Sequence, residues 1–522
     1  MKAPLESARN SVRSDHGYPW LSLAFAGIVV AFAAVVIASP DKFFADDSYF
    51  YFQVAWNFAR GAGSTFNNIL PTNGYHPLWM LLCAAVFKIF PARTVAVHGI
   101  AFLLSVFDAI AFCFLALLLR RSGNQLWPVA LFFYVPFCFL TQLGTEGALS
   151  GCMLALLAWS AWEMANRPSS WMAVVLSFAA ALAVLARLDN IFVVACIWFS
   201  LYLASGPGIL SATRRSLLLT PTIPATLWGF YLWTNWHYFH TIQPISGLLK
   251  SSSDLNHRLG SNFPHIAGGS LLIIITGTIT LAITRNDRFF RVIELPFAIG
   301  VLCHASYIFF RMSSETRWSW YYTSWVLLAG ILAARVLDRW VHGNRRLLQM
   351  ARWGSVLLLV LVWIRCDLFG FMRMTDSGRS FDFQHAVYER AGMRRVIAFD
   401  KPGRIAYYSD VKIVPLDGLM GNLEFQNELA TRGIAEFVST NHIDGFVGPP
   451  APLDSRNAAL LCGSVWLASS ELKCSQTRNG ESQVDAVLVF ARIPPTFAGR
   501  LSLPPDQLVW SKPADIAVWR LR

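Results

Sequence analysis

The stretch Leu21-Ser22-Leu23-Ala24-Phe25-Ala26-Gly27-Ile28-Val29-Val30 continues without a charged residue to Ala38, and Asp46-Asp47-Ser48-Tyr49-Phe50 follow a few residues later. A helix needs roughly 20 apolar residues to cross the hydrocarbon core of a bilayer, so the run predicts a first transmembrane helix. It is too long for the apolar core of a signal peptide and no small-residue cleavage site follows, so it is expected to stay in the mature chain. Two adjacent carboxylates at a bilayer edge are costly to hold unless they bind something. The segment 41–96 is therefore the first place to seek chemistry.

Working outward, the composition is that of a membrane protein. The 522 residues are 55% hydrophobic and only 14% charged, with a mean hydropathy of +0.45, whereas ordinary soluble domains carry about 25% charged residues. The net charge of +12 falls mainly in short loops between apolar runs. Such charges report topology and contact lipid headgroups, so no nucleic-acid role is assigned. The fold class predicted is a polytopic α-helical membrane protein.

Placing the tail 1–19 in the cytoplasm makes Arg120-Arg121, Arg167, Arg214-Arg215, the Arg285 to Arg291 cluster and Arg335 to Arg352 inside loops. The alternate connections then lie outside: Asp41 to Ala96, Gly144 to Gly147, Arg187 to Asn190, Trp236 to His265 and Arg311 to Trp320. The transmembrane domain spans 20–375 with about eleven crossings. The short run His76 to Phe90, bounded by Pro77, Lys88 and Pro91, is expected to be an interfacial or re-entrant helix.

From 376 to 522 no run is long enough to span, and Gly, Pro and charge return. A soluble α/β domain is predicted on the outer side, with helices Phe383 to Arg394 and Leu423 to Ser439. Its strands are expected at Val396 to Phe399, Ile405 to Tyr408, Lys412 to Leu416 and Ile443 to Val447. Cys462 and Cys474 are the cysteines of this domain, as a disulfide in an oxidising compartment or as a free pair.

The set Asp46-Asp47-Ser48-Tyr49, Asn57 to Gly63, Phe66-Asn67 and Asn73-Gly74-Tyr75-His76-Pro77-Leu78-Trp79 resembles the membrane glycosyltransferases of the C superfamily (GT-C). Within it, the set is most similar to the bacterial arabinofuranosyl and mannosyl transferases. Gly403 to Ser409 and Val414 to Asn422 are similar to the extracytoplasmic domain of that group. The resemblance implies a polyprenyl-phosphate sugar donor and a glycan, lipid or protein hydroxyl as acceptor. It also implies a location in the bacterial inner membrane with the site on the periplasmic side. Many relatives carry Asn or Thr where this chain has His76, so the sugar stays open.

The residue types suit that reaction. A carboxylate against a sugar hydroxyl can take its proton as the new bond forms, typically worth about 10²- to 10⁴-fold. Asp46 is assigned this role first and Asp47 second. Asp46 could instead cap an amphipathic surface helix, Ser48 to Ala59, but Asp47, with Glu146 and Asp189 on other outer loops, would remain unexplained. A departing lipid phosphate needs cations, available in His76, Arg187, Lys250, Arg311 and Arg317, while Tyr75 belongs to the substrate-binding motif.

Asp46, Asp47 and Glu146 could offer oxygens to Mg²⁺ or Mn²⁺, although no ligand spacing demands an ion. His98, His304 and Asp108 lie in or beside apolar runs, where a hydrogen-bonded packing role is at least as apt. Gly61 and Gly63 follow no strand and are expected to end a surface helix. The competing class is a lipid-linked-sugar or solute transporter. Such proteins often show internal repeats with sites at the midplane, whereas here no mirrored halves are found and the acids gather at one face.

Overall fold

A computed structural model describes residues 33–130, 143–204, 217–251, 287–312, 319–341 and 402–415 continuously. Shorter pieces lie within 27–31, 344–361, 394–398, 419–448 and 485–520. The tail 1–19, the predicted helix Phe383 to Arg394 except for Arg394 itself, Arg317, and the Cys462–Cys474 pair lie outside the described residues.

The helices in chain order are α1 Asp46–Ala59, α2 Pro77–Ile89, α3 Arg93–Arg121, α4 Gly147–Asn166, α5 Ser170–Ala186 and α6 Ile191–Ala204. They continue with α7 Thr222–Phe239, α8 Ile245–Lys250, α9 Leu295–Arg311, α10 Thr323–Val341 and α11 Pro402–Tyr408. Four helical stretches among the described residues are long and apolar enough to cross a membrane: Arg93–Arg121, Gly147–Asn166, Phe290–Arg311 and Trp320–Val341. α2 has 13 residues. At about 1.5 Å per residue it reaches only some 20 Å, short of a hydrocarbon core about 30 Å thick.

Packing within the bundle is close. A Cβ on Gly300 of α9 would lie 2.6 Å from the Val193 backbone of α6, so these two helices touch main chain to main chain where only glycine fits. Ion pairs tie the two ends of the bundle separately. At one end Arg121 meets Glu163 at 2.8 Å, Arg335 meets Glu294 at 3.1 Å and also Asp287, and Arg288 donates to the Ala165 carbonyl. These belong to the loops predicted inside. Glu146, Arg187, Asp189 and His304 meet at the other end.

Two expectations are corrected. α1 does not lie along a surface: Tyr49, Phe52, Val54 and Ala55 are fully buried, because α1 is enclosed by α2 on one side and α11 on another. Ile405 to Tyr408, expected as a strand, forms the end of helix α11. Its apolar alternation was misleading, since Ile405, Ala406 and Tyr407 are buried together against α1 and a run buried on several sides carries no strand signature.

The C-terminal segment otherwise has the α/β character expected. β1 Arg395–Ala398, β2 Lys412–Pro415, β3 Gly445–Gly448, β4 Asp485–Leu488, β5 Gly499–Ser502, β6 Leu508–Ser511 and β7 Ala517–Arg520 are its strands. One sheet has the order β2-β1-β3-β7-β6 and a second pairs β4 with β5. β1 is parallel to β2 and β3, with Val396 opposite Ile413 and Gly445. Among the described residues the β1–α11–β2 unit places α11 over α1, and Leu419 just beyond it lies against Gly74.

Candidate active site

α1 presents two faces with different partners. Residues 47 and 51 are one turn apart and share a face, while 46, 49, 53 and 56 line the adjacent one. On the first face, the Tyr51 hydroxyl donates to Glu146 Oε2 at 2.9 Å and accepts from the His76 backbone N–H at 3.3 Å.

Around Glu146 the charges form one chain. Arg187 Nη1 donates to Glu146 Oε1 at 2.7 Å, and its Nε and Nη2 grip Asp189 at 3.0 and 2.6 Å. Asp189 also lies 3.0 Å from His304 Nε2, and the Arg187 guanidinium sits 4.4 Å over the Tyr321 ring. Arg187 and Glu146 are each only 2% exposed, so their charges are held by one another. Burial penalises the Asp189 carboxylate, but Arg187 and His304 outweigh it and hold its pKa well below the usual range.

Above this base sit the half-buried groups. His76 Nε2 is 3.7 Å from Glu146 Oε1, and its Nδ1 accepts from the Leu188 N–H at 3.4 Å. That pairing assigns the proton to Nε2, facing the carboxylate. Burial lowers the His76 pKa despite Glu146, so the ring is neutral near pH 7. Lys250 Nζ donates to the Tyr321 hydroxyl at 3.3 Å. Burial works against its ammonium, but Tyr321, Asp47 and Glu146 together raise its pKa. Lys250 is therefore a cation, with Asp47 close enough for its field to be felt.

The Asn73 to Trp79 motif explains how these groups are placed. Asn73 Oδ1 accepts from Ile245 N at 3.1 Å and its Nδ2 donates to the Gln243 carbonyl at 3.3 Å, so Asn73 seats the helix that carries Lys250. Trp79 Nε1 donates to the Gly144 carbonyl at 3.1 Å, fixing the turn before Glu146. Tyr75 is placed elsewhere: its hydroxyl meets Ser64 Oγ at 2.5 Å, closing the 64–75 loop.

Asp46 is on the other face and its work is visible. It is the first residue of α1, with Ala45 at the cap position, so it does not cap its own helix as the alternative reading had it. Its carboxylate instead accepts the N–H groups of Gly403 and Arg404, both at 2.9 Å, at the start of α11. Burial raises its pKa to about 6 against the two backbone hydrogen bonds. Arg404 reaches on to the carbonyls of Asp41 and Phe44 at 2.6 and 3.0 Å. A Cβ at Gly403 would lie 2.3 Å from the Asp46 carbonyl oxygen, so this contact requires glycine.

The structure thus brings His76, Glu146, Arg187 and Lys250 together, with Asp47 near enough for its charge to act on Lys250, and turns Asp46 and Tyr75 to other partners. Arg311 is exposed at the end of α9. Tyr51, His304 and Tyr321 were not singled out as site residues from sequence. For Tyr51 a signal existed, its position one helical turn after Asp47; His304 was read as a packing residue beside an apolar run, and Tyr321 carried no signal of its own. As for a divalent ion, the two Glu146 oxygens are engaged by Arg187 and Tyr51. Among the described residues no cluster of three His, Cys, Asp or Glu side chains is grouped to hold one.

No family model matches the sequence, and no curated protein matches it. Solved structures do. ArnT from Cupriavidus metallidurans bound to undecaprenyl phosphate superposes with a TM-score of 0.57 at 12% identity, covering 83% of this chain and 94% of that one. Apo ArnT from the same organism gives 0.53 at 14% identity, covering 81% and 93%. At such identity the likeness is one of fold: this chain shares the polytopic helical fold of ArnT.

Proposed function

We propose that the chain is a glycosyltransferase that moves a sugar from a polyprenyl-phosphate donor to a hydroxyl-bearing glycan, lipid or protein. The observation that carries the reading is the juxtaposition of Asp47, Lys250 and the buried Glu146–Arg187–Asp189 chain at one end of the bundle. The shared fold supports it, because ArnT is seen with undecaprenyl phosphate. Charge alternation along the chain favours the periplasmic face of a bacterial inner membrane, with 376–522 on the same side.

In this reading Asp47, placed second on sequence, becomes the general base and Asp46 a positioning residue, because both Asp46 oxygens already accept backbone N–H groups. The acceptor hydroxyl transfers its proton to the Asp47 carboxylate as its oxygen bonds to the anomeric carbon. The bond from that carbon to the lipid phosphate breaks, its electron pair leaving on the phosphate oxygen. Lys250 neutralises the charge that develops there. His76 has both ring nitrogens turned to protein partners, so it shapes the site and leaves the cationic role to Lys250. A single displacement inverts the anomeric configuration.

The test is transfer from radiolabelled polyprenyl-phosphate sugars to membrane acceptors, with purified wild type, Asp47→Asn and Asp46→Asn side by side. Asp47→Asn is expected to lower transfer about 10²- to 10⁴-fold and Asp46→Asn far less. Full transfer by Asp47→Asn would overturn the assignment of the base. Movement of intact lipid-sugar across vesicles without transfer would replace the reading with a transporter.

A further inference from the structure

A second site lies on the other face of α1, where it meets the C-terminal segment. An open cleft of about 130 Å³ is lined there by Gln53, Trp56, Asn67, Arg93, Ser409 and Lys412, among others. That volume is below the roughly 300–1,000 Å³ of sites for drug-sized ligands, so the cleft suits one small unit.

What marks it is the state of its polar groups. Among the described residues, ten buried side-chain polar atoms have no hydrogen-bond partner, and three of them, Gln53 Oε1, Arg93 Nε and Ser409 Oγ, belong to residues lining this one cleft. Gln53 is 6% and Ser409 3% exposed. A buried polar group left unpaired costs about 1–3 kcal/mol, so several around one cavity point to something that pairs with them.

Their chemistry restricts that partner. Gln53 Oε1 only accepts, Arg93 Nε only donates, and Ser409 Oγ does either, so the ligand must offer donors and acceptors within one small volume. Hydroxyl groups do both. Trp56 has Arg93 at 3.8 Å and Arg60 at 4.3 Å over its ring, so the guanidinium groups already stack on it and recognition falls to the polar edges. Asp410 stands in the same lining as Arg93 and Lys412, which disfavours a bare anion such as inorganic phosphate. We propose that this cleft binds one hydroxyl-rich ring, a neutral sugar unit, held between Gln53 and Ser409.

Gln53 is seven residues beyond Asp46, about 10 Å along the helix, and faces away from Glu146. The site is thus separate from the ion chain, and on the transferase reading it would seat a more distant unit of a saccharide acceptor. The binding claim does not need that reading.

Saturation-transfer NMR on the full-length protein tests it, with methyl glycosides of a hexopyranose, a pentofuranose and an amino sugar as probes and inorganic phosphate as control. Wild type is expected to show transfer to at least one glycoside. Affinity should fall about tenfold, the worth of one or two hydrogen bonds, in Gln53→Leu and in Ser409→Ala, and stay unchanged in Gly229→Ala, where an added Cβ meets nothing within 4 Å. Ser409→Ala removes a single atom and keeps the test open if Gln53→Leu does not fold. Binding that both variants retain would overturn the proposal, as would no signal from any glycoside, which means the cleft holds water only. Binding lost in these variants while no donor supports transfer would keep the site and sink the transferase reading.

Discussion

Arg187 shows how much one side chain can hold. It is 2% exposed and bridges Glu146 and Asp189, so Arg187→Ala would strand two carboxylates in a buried setting. Breaking one partner out of such a group costs about 3–5 kcal/mol, and a clear drop in the melting temperature of the purified protein is expected. Arg187→Lys should recover only part of it, because a lysine cannot reach both acids with a planar fork while lying flat on Tyr321. Equal melting of wild type and Arg187→Ala would show that the ion chain is not a support. Sequence already pointed to Glu146, Arg187 and Asp189 through topology alone, since charge at a membrane edge is expensive. It did not separate Asp46 from Asp47, because the roughly 100° between successive residues of a helix matters only once the neighbours of each face are known.

At the level of elements, the contact between α1 and α11 depends on a glycine. An added Cβ at Gly403 would stand 2.3 Å from the Asp46 carbonyl oxygen, and main chain cannot step aside as a flexible side chain can. Gly403→Ala is expected to cost about 1–3 kcal/mol, the usual range for overpacking, and to speed hydrogen exchange of the α11 amides. Gly229→Ala in α7, where a Cβ would meet nothing within 4 Å, should be neutral or gain up to about 1 kcal/mol from helix propensity. Unchanged exchange in Gly403→Ala would mean the two helices are less tightly joined than the geometry says. The helical state of Ile405 to Tyr408 was not legible beforehand for the same reason: its aromatic residues are shared with Tyr49 and Phe52, a tertiary circumstance.

Across the molecule, the joint between the membrane domain and the C-terminal segment carries a titratable group. The docked Asp46 has a pKa of about 6 against an ordinary 3.8, raised chiefly by burial, so between those values the docked state binds more protons than the unfolded chain. Stability contributed by this group is therefore present at low pH and is lost as pH rises through about 6. Compared with Asp46→Asn, wild type should lose thermal stability from pH 4 to 6 and run parallel above that, as read by melting curves across the range. Curves that stay parallel throughout would show that the carboxylate is solvated in the docked protein. Arg93 strengthens the same joint, donating to the Tyr407 carbonyl at 2.6 Å while the Tyr407 hydroxyl donates to the Arg93 carbonyl at 2.8 Å.

The sequence by itself determined that the chain is a polytopic helical membrane protein with a C-terminal α/β segment, and it directed attention to the acids and cations of the loops predicted outside. Apolar length, loop charge and turn residues are local quantities, each readable without knowing what packs on what. Only the tertiary structure decided which carboxylates act on Lys250 through their charge, which one fastens α11, and which residues with unpaired polar atoms line a cleft. Those outcomes depend on which elements from distant parts of the chain meet the faces of α1, and no local pattern encodes that.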